Sequence, residues 1–133
     1  LAQKLMRVDK ECHLYDDWHD QLLCAKNMHE GDMAIAFSYS GLTQEVLDCT
    51  VEAQRHNCPV VAVTKVDGSS KLATMADAVL GVAASEPLVR SGAMASRMAQ
   101  LMVVDALYAA YVASDYERAT HVIKQNYIEK QER

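Results

Sequence analysis

The chain has 133 residues, the size of one domain with a hydrophobic core of its own. Half of the residues are hydrophobic and only 6% are aromatic, which suits helices layered on a sheet better than an aromatic-rich β-sandwich. The net charge is −5, and no basic cluster interrupts the sequence, which argues against direct contact with nucleic acid.

Hydrophobic periodicity predicts alternating helices and strands in the first half of the chain. The predicted elements are the end of a helix over Leu1–Val8, a short strand over Glu11–Tyr15, a helix over Trp18–Met28, a strand over Met33–Phe37 and a helix from Gln44 to about Asn57. Asp17 is placed to cap the second helix. The inward positions of that helix are Leu22, Leu23 and Ala25. Pro59 prevents the last helix from continuing.

The second half of the chain continues this alternation. The predicted elements are a strand over Val60–Val63, a turn at Gly68-Ser69-Ser70, a short helix over Lys71–Met75, a strand over Ala78–Val82, a long helix over Gly92–Ala113 and a helix from Tyr116 to about Lys130. Continuous apolar strands that alternate with helices predict a parallel sheet with helices on both sides. Ligands of such sheets bind beyond the carboxyl ends of the strands.

The helix predicted over Gly92–Ala113 is apolar on nearly all sides. Arg97, Gln100 and Asp105 interrupt it, which favours a buried helix of a soluble domain over a membrane span. One sheet can cover only one face of this helix, so the remaining apolar surface predicts self-association. We therefore expect a homo-oligomer, either a dimer or a tetramer, and no membrane contact.

The cysteines Cys12, Cys24, Cys49 and Cys58 show no CxxC pair and no zinc-ribbon spacing. Free, partly buried thiols in a reducing cytoplasm are the simplest interpretation, so we expect a cytoplasmic protein. The histidines have no mutual spacing that is typical of a metal site. We expect neither a metal ion nor another cofactor.

A turn rich in hydroxyl groups, Ser38-Tyr39-Ser40-Gly41-Leu42-Thr43, joins a predicted strand to a predicted helix. Backbone N–H groups and the positive end of the helix dipole meet there, which favours an anion. Ser and Thr hydroxyls can donate to phosphate oxygens, and glycine lets the backbone approach closely. An ordinary helix cap is the alternative, but it explains one hydroxyl rather than three. We predict a phosphate pocket formed by Ser38, Tyr39, Ser40, Gly41 and Thr43.

Two stretches of this sequence resemble a known family. The run Phe37-Ser38-Tyr39-Ser40-Gly41-Leu42-Thr43-Gln44-Glu45 is similar to the second phosphosugar-binding loop of sugar isomerase (SIS) domains. The run from Glu86 to Arg97, followed by Gln100-Leu101 and Asp105, resembles more specifically the sensor domain of RpiR-type transcriptional regulators. The resemblance covers Leu1 to about Ser114. It implies an α/β fold, a three-layer αβα sandwich with a mostly parallel, flavodoxin-like sheet.

The resemblance also implies a function and a domain organisation. It predicts one SIS domain over residues 1–133, with 115–133 as a helical extension, that binds a sugar phosphate or amino-sugar phosphate and dimerises. DNA would be contacted only through a separate N-terminal domain. The first strand and first Gly-Ser-Ser-type loop of the family have no counterpart here, so we expect an N-terminally incomplete sheet and weaker ligand binding by this segment alone. A dimerising scaffold with a vestigial pocket is a further alternative.

Glu86 and Arg90 are two further candidate ligand residues beside the predicted sheet edge. SIS isomerases use a glutamate in the neighbourhood of Glu86 as a base, but we favour a role in accepting hydrogen bonds from sugar hydroxyls. The long helix lacks the histidine that such isomerases often use, and His121 lies further on. We therefore predict no catalytic residue and no enzyme, with Glu86 as the base of an isomerase or lyase as the alternative. Arg90 is either a bidentate partner for an acidic group or an exposed arginine.

Overall fold

The structure, a computed structural model, describes residues 1–83 and 94–127. This part of the chain contains six helices and three strands. They are α1 (Ala2–Met6), α2 (Trp18–Lys26), β1 (Ala34–Phe37), α3 (Gln44–Arg55), β2 (Val60–Lys65), α4 (Lys71–Met75), β3 (Ala78–Val82), α5 (Met94–Ser114) and α6 (Tyr116–Gln125).

The three strands form a parallel sheet in the order β1-β2-β3. Ala34 of β1 pairs with Val60 of β2, and Val61 pairs with Ala78 of β3. Because all three strands run in one direction, their carboxyl ends lie at one edge of the sheet. The predicted α/β class with a parallel sheet is confirmed.

The core lies where α3 and α4 pack on the central strand. Leu47 of α3, Ala62 of β2 and Leu72 of α4 form one buried cluster. Ala53 and Val60 belong to a second cluster beside it. Burying a side chain such as that of Leu72, which has no exposed surface, contributes about 1.5–3 kcal/mol. This packing fixes the start of α3 and the start of α4 against β2.

Local signals set the helix ends as predicted. The backbone N–H of His19 donates to Asp17 Oδ1 at 2.8 Å, which confirms the predicted cap of α2. At the end of α3, Asn57 adopts a φ of +56°. The N–H of Cys58 then donates to the carbonyl of Ala53 at 3.1 Å. This left-handed residue satisfies a terminal carbonyl before Pro59, which cannot continue a helix.

Three details of the predicted elements are wrong. Residues 11–15 form no strand, because an exposed charged Glu11 and a 75% exposed Leu14 leave no face to bury. Leu23 is 56% exposed rather than inward. The continuous apolar run of β3 predicts a buried strand, but β3 is exposed over most of its length, since it pairs only with β2 in the sheet of the described residues.

The chain divides into two compact units. The first combines Leu1–Leu14 with Val104–Arg133, and within it Lys4 Nζ lies 2.9 Å from Asp105 Oδ1 and 5.4 Å from the centre of the Tyr108 ring. The second covers Tyr15–Val103 and contains the sheet. The assignment of 1–133 to a single SIS domain, with 115–133 as its extension, remains a prediction.

None of the helices in the described parts of the chain has the length and hydropathy needed to cross a membrane. All four cysteines are free thiols. Burial raises the pKa of the Cys49 thiol, and the nearby Asp48 carboxylate adds to this effect. A raised pKa keeps that thiol protonated and unreactive near neutral pH.

Candidate functional site

The segment Ser38–Thr43, here called the hydroxyl loop, connects the carboxyl end of β1 to the start of α3. It therefore lies at the sheet edge where the sequence places the site. Ser38 N–H donates to the carbonyl of Val63 at 3.2 Å, which extends the strand pairing by one residue beyond β1. The loop thus starts from a fixed point on the central strand.

Ser38 is the inner hydroxyl of the loop, with only 6% of its surface exposed. Its Oγ accepts a hydrogen bond from Gly41 N–H at 3.1 Å and lies 3.0 Å from Thr43 Oγ1. The Thr43 side chain is exposed and does not cap α3. If the buried Ser38 donates to Thr43, the hydrogen of the exposed Thr43 hydroxyl is left for a ligand.

Ser40 supplies a second hydroxyl. Its Oγ accepts from Leu42 N–H at 3.2 Å, so its own hydrogen is left to donate. The loop therefore presents the Ser40 hydroxyl and one hydroxyl hydrogen of the Ser38–Thr43 pair beside the amino end of α3, where the helix dipole favours negative charge.

Gly41 has a φ of +66°, a conformation that favours glycine. A Cβ atom at this position would lie 1.8 Å from Ser70 Oγ and 2.9 Å from Thr64 Oγ1. The sequence indicated a glycine that allows a ligand to approach. The structure adds that the glycine allows the loop to pack directly on its own supporting residues.

Two buried hydroxyls, Thr64 and Ser70, lie beneath the loop. Thr64 Oγ1 is 2.9 Å from Ser70 Oγ and 3.3 Å from the carbonyl oxygen of Tyr39. Ser70 Oγ also accepts from Ala73 N–H at 3.1 Å, which caps α4. The sequence favours a turn at Gly68-Ser69-Ser70 over a ligand cradle, and it does not predict that Ser70 pairs with Thr64. A threonine near a strand end and a serine before a short helix were the available signals.

A charged pair lies at the end of β2. Lys65 N–H donates to the carbonyl of Tyr39 at 3.1 Å, and Lys65 Nζ lies 2.7 Å from Asp67 Oδ2. Ser69 donates to Asp67 through both its hydroxyl and its backbone N–H. The hydrogen bond from Lys65, followed by those from Ser69, holds the pKa of the Asp67 carboxyl well below its usual range. Lys65 thus contacts the loop through its backbone N–H, while its ammonium group is paired with Asp67.

The structure therefore brings Ser38, Tyr39, Ser40, Gly41 and Thr43 together in one turn. Glu86 and Arg90 lie outside the described residues. Within the described ranges, no group of three or more His, Cys, Asp or Glu side chains could hold a metal ion. The chemistry that the loop offers is hydrogen-bond donation to an oxyanion.

The model of the SIS domain family matches residues 1–110. The chain belongs to the SIS domain family. The resemblance seen in the hydroxyl loop is thus confirmed over most of the chain.

Relatives of this SIS domain include uncharacterized HTH-type transcriptional regulators. That of Caldanaerobacter subterraneus is 40% identical over 113 residues, which are 85% of this chain and 40% of the relative. YbbH of Bacillus subtilis is 33% identical over 122 residues, which are 91% of this chain and 43% of the relative. The chain spans about two fifths of the length of these curated relatives.

Solved structures with the same fold include two regulators. The Vibrio vulnificus NanR protein complexed with ManNAc-6P has a TM-score of 0.83 at 29% identity, over 93% of this chain and 46% of the NanR chain. The sugar isomerase domain of the RpiR transcription factor from Sphaerobacter thermophilus has a TM-score of 0.77 at 22% identity, over 93% of this chain and 67% of that chain. The second likeness concerns the fold alone. The HTH-type relatives and NanR show that this SIS domain is similar to part of transcriptional regulators.

Proposed function

We propose that this SIS domain binds a sugar phosphate and acts as the effector-binding domain of a transcriptional regulator. The observation that carries the proposal is the hydroxyl loop, which gathers the hydroxyls of Ser38, Ser40 and Thr43 beside the amino end of α3. The similarity to NanR, which was solved with ManNAc-6P, supports a phosphorylated sugar as the ligand class.

The residues of the hydroxyl loop bind the phosphate in this proposal. Ser40 and Thr43 donate to its oxygens, while Ser38, Tyr39 and Gly41 shape the turn. Glu86 accepts hydrogen bonds from sugar hydroxyls, and Arg90 is a bidentate partner for an acidic group of the ligand. This division assigns no catalytic residue, in keeping with relatives that are regulators.

Ligand binding changes regulation by shifting a conformational equilibrium. A sugar phosphate can do this only if it binds one state of the protein more tightly than the other. The net charge of −5 makes this segment unsuited to the DNA surface. DNA is therefore contacted by a separate domain, in the cytoplasm, as in an HTH-type regulator.

Self-association is the second part of the proposal. Four large side chains of α5 are strongly exposed, and they follow one another at helical spacing along one face. This methionine face consists of Met94 (72%), Met98 (63%), Leu101 (58%) and Met102 (71%). A contiguous apolar helix face of this kind favours contact with another copy of the chain in a dimer or tetramer.

Calorimetric titration tests the ligand assignment. The full-length protein is titrated with N-acetylmannosamine 6-phosphate and other hexose and amino-sugar phosphates, and with the same sugars without phosphate. We expect binding only of phosphorylated sugars. Lack of binding or thermal stabilisation by any sugar phosphate would favour a scaffold with a vestigial pocket.

An isomerase or lyase with Glu86 as general base is the alternative function. It uses the same loop and differs only in proton transfer at the sugar carbons. Incubation of the full-length protein with the same ligand panel distinguishes them. Turnover that Glu86→Gln abolishes while binding is retained would establish the enzyme.

A further inference from the structure

The hydroxyl pair Thr64–Ser70 is fully enclosed. Thr64 lies on β2 with no exposed surface, and Ser70, the N-cap of α4, is 4% exposed. Their oxygens are 2.9 Å apart. Buried hydroxyls require hydrogen-bond partners, and the partners here belong to the hydroxyl loop and to α4.

The pair touches the loop on both sides of Ser40. Before Ser40, the carbonyl of Tyr39 accepts from Thr64 Oγ1 at 3.3 Å. After Ser40, Gly41 lies directly against the Ser70 side chain. The Gly41 carbonyl also accepts from Leu72 N–H, in the first turn of α4, at 3.0 Å. The two peptide units that flank Ser40 are therefore held by β2 and α4.

The Tyr39 carbonyl can only accept, so the hydrogen bond between it and Thr64 is donated by Thr64. Thr64 has a single hydroxyl hydrogen, and its bond to the Tyr39 carbonyl uses it. Either hydroxyl can donate across the 2.9 Å contact between Thr64 and Ser70. When Thr64 donates to the Tyr39 carbonyl, Ser70 donates to Thr64 Oγ1, while the Ser70 oxygen accepts from Ala73 N–H. The result is a chain of donors that leads from α4 through Ser70 and Thr64 to the loop.

We propose that Thr64 and Ser70 are positioning residues for phosphate recognition: they act through Tyr39 and Gly41 to hold Ser40 in its donating geometry. Neither residue contacts the ligand. The inference rests on the proposed function, in which the hydroxyl loop binds the phosphate. It predicts that the Thr64 hydroxyl controls affinity, whereas the Thr64 methyl group controls only stability.

Two substitutions at Thr64 separate these contributions. Thr64→Val keeps the shape and removes the hydroxyl, and Thr64→Ser keeps the hydroxyl and removes a buried methyl. In the full-length protein, well below the melting temperature, we expect Thr64→Val to weaken N-acetylmannosamine 6-phosphate binding about tenfold. The reason is that the variant lacks the hydrogen bond that holds the loop in its binding conformation. Thr64→Ser should retain nearly full affinity while lowering the melting temperature.

Thr50→Val is the matched control. Thr50 is 2% exposed on α3, and its hydroxyl donates to the Val46 carbonyl at 2.9 Å, away from the loop. This variant should change stability and leave affinity unchanged. If Thr64→Val does not fold, Ser70→Ala replaces it with the same expected loss of affinity.

Amide hydrogen exchange of the loop gives a readout that needs no ligand. Exchange at residues 40–42 should be faster in Thr64→Val than in Thr64→Ser or the unmodified protein. Equal exchange in all three, or equal affinity losses in Thr64→Val and Thr64→Ser, would overturn the positioning role. Failure of the unmodified protein to bind any sugar phosphate, with faster exchange still seen in Thr64→Val, would instead overturn the proposed function and leave the loop support intact.

Discussion

The hydroxyl loop and the methionine face of α5 are two surfaces of the same chain with opposite chemistry. In the loop, Ser38 and Ser40 already accept hydrogen bonds from backbone N–H groups of the same turn. On the methionine face, four large apolar side chains are 58–72% exposed. The loop is thus organised before anything binds, whereas the apolar face loses its contact with water only when another surface covers it.

This difference leads to different consequences of substitution. A change in the loop alters a network that one chain completes by itself, so it affects folding, affinity or both in that chain. We expect a change on the methionine face to affect self-association without affecting the folded monomer. Substitutions in and around the two regions test this contrast, from the largest expected effect to the smallest.

Gly41→Ala should have the largest effect on the loop. The added Cβ would lie 1.8 Å from Ser70 Oγ, and the φ of +66° strains any other residue. Overpacking and backbone strain together should lower the free energy of unfolding by roughly 2–5 kcal/mol, measured by urea denaturation. Phosphate binding should be lost as well.

Gly68→Ala separates strain from overpacking. Gly68 has a φ of +78°, but nothing lies within 4 Å of the position that an added Cβ atom would take. This variant should carry the backbone strain alone. Equal destabilisation by both substitutions would show that Gly41 does not pack against Ser70 in solution.

Ser40→Ala and Thr43→Val should both reduce ligand affinity, and Thr43→Val should also lower stability, because it removes a hydrogen-bond partner of the buried Ser38 hydroxyl. Each removes one hydroxyl donor to a charged phosphate, worth roughly 1.5–3 kcal/mol, or about tenfold to a hundredfold in affinity. Calorimetric titration of the full-length variants measures this loss. Ser114→Ala, which removes an exposed serine hydroxyl of α5, is the control. Unchanged affinity in both loop variants would mean that the loop is only a helix start.

Met98→Glu should weaken self-association about tenfold or more, because it places an unpaired charge in an apolar interface. Its melting temperature as a monomer should change little, since Met98 is 63% exposed. Light scattering across a micromolar concentration series measures the change. Ala110→Glu, at an exposed position on a different side of α5, is the control. A monomeric mass for the unmodified protein would refute self-association.

Asp67→Asn should have the smallest effect, visible as a change in the pH dependence of stability. The pKa of Asp67 is lower in the folded protein than its ordinary value of 3.8. The carboxylate therefore stabilises the folded state fully above that value, and this contribution disappears as the pH falls through the lowered pKa. Melting temperatures between pH 7 and pH 2 should fall less steeply for Asp67→Asn. Parallel curves would show that the Lys65–Asp67 pair does not persist in solution.

Sequence-local information was sufficient for most helices, strands and the principal loop. The Asp17 cap, the short helix Lys71–Met75 and the strand Ala78–Val82 follow from capping and hydrophobic runs within a few residues. The expected strand over Glu11–Tyr15 failed, because strand formation requires a partner that local pattern cannot supply. The prediction that β3 is buried failed for the same reason, because burial depends on covering elements that the strand's own residues do not specify.

By itself, the sequence determined the family, the alternation of parallel strands with helices, and the hydroxyl groups between β1 and α3, because each is encoded by neighbouring residues. Only the tertiary structure decided what supports those hydroxyls. Thr64 reaches the Tyr39 carbonyl across 25 residues of chain, and Gly41 is required by contact with Ser70. Such contacts arise when α4 packs on β2, and packing depends on distances between segments that no local pattern specifies.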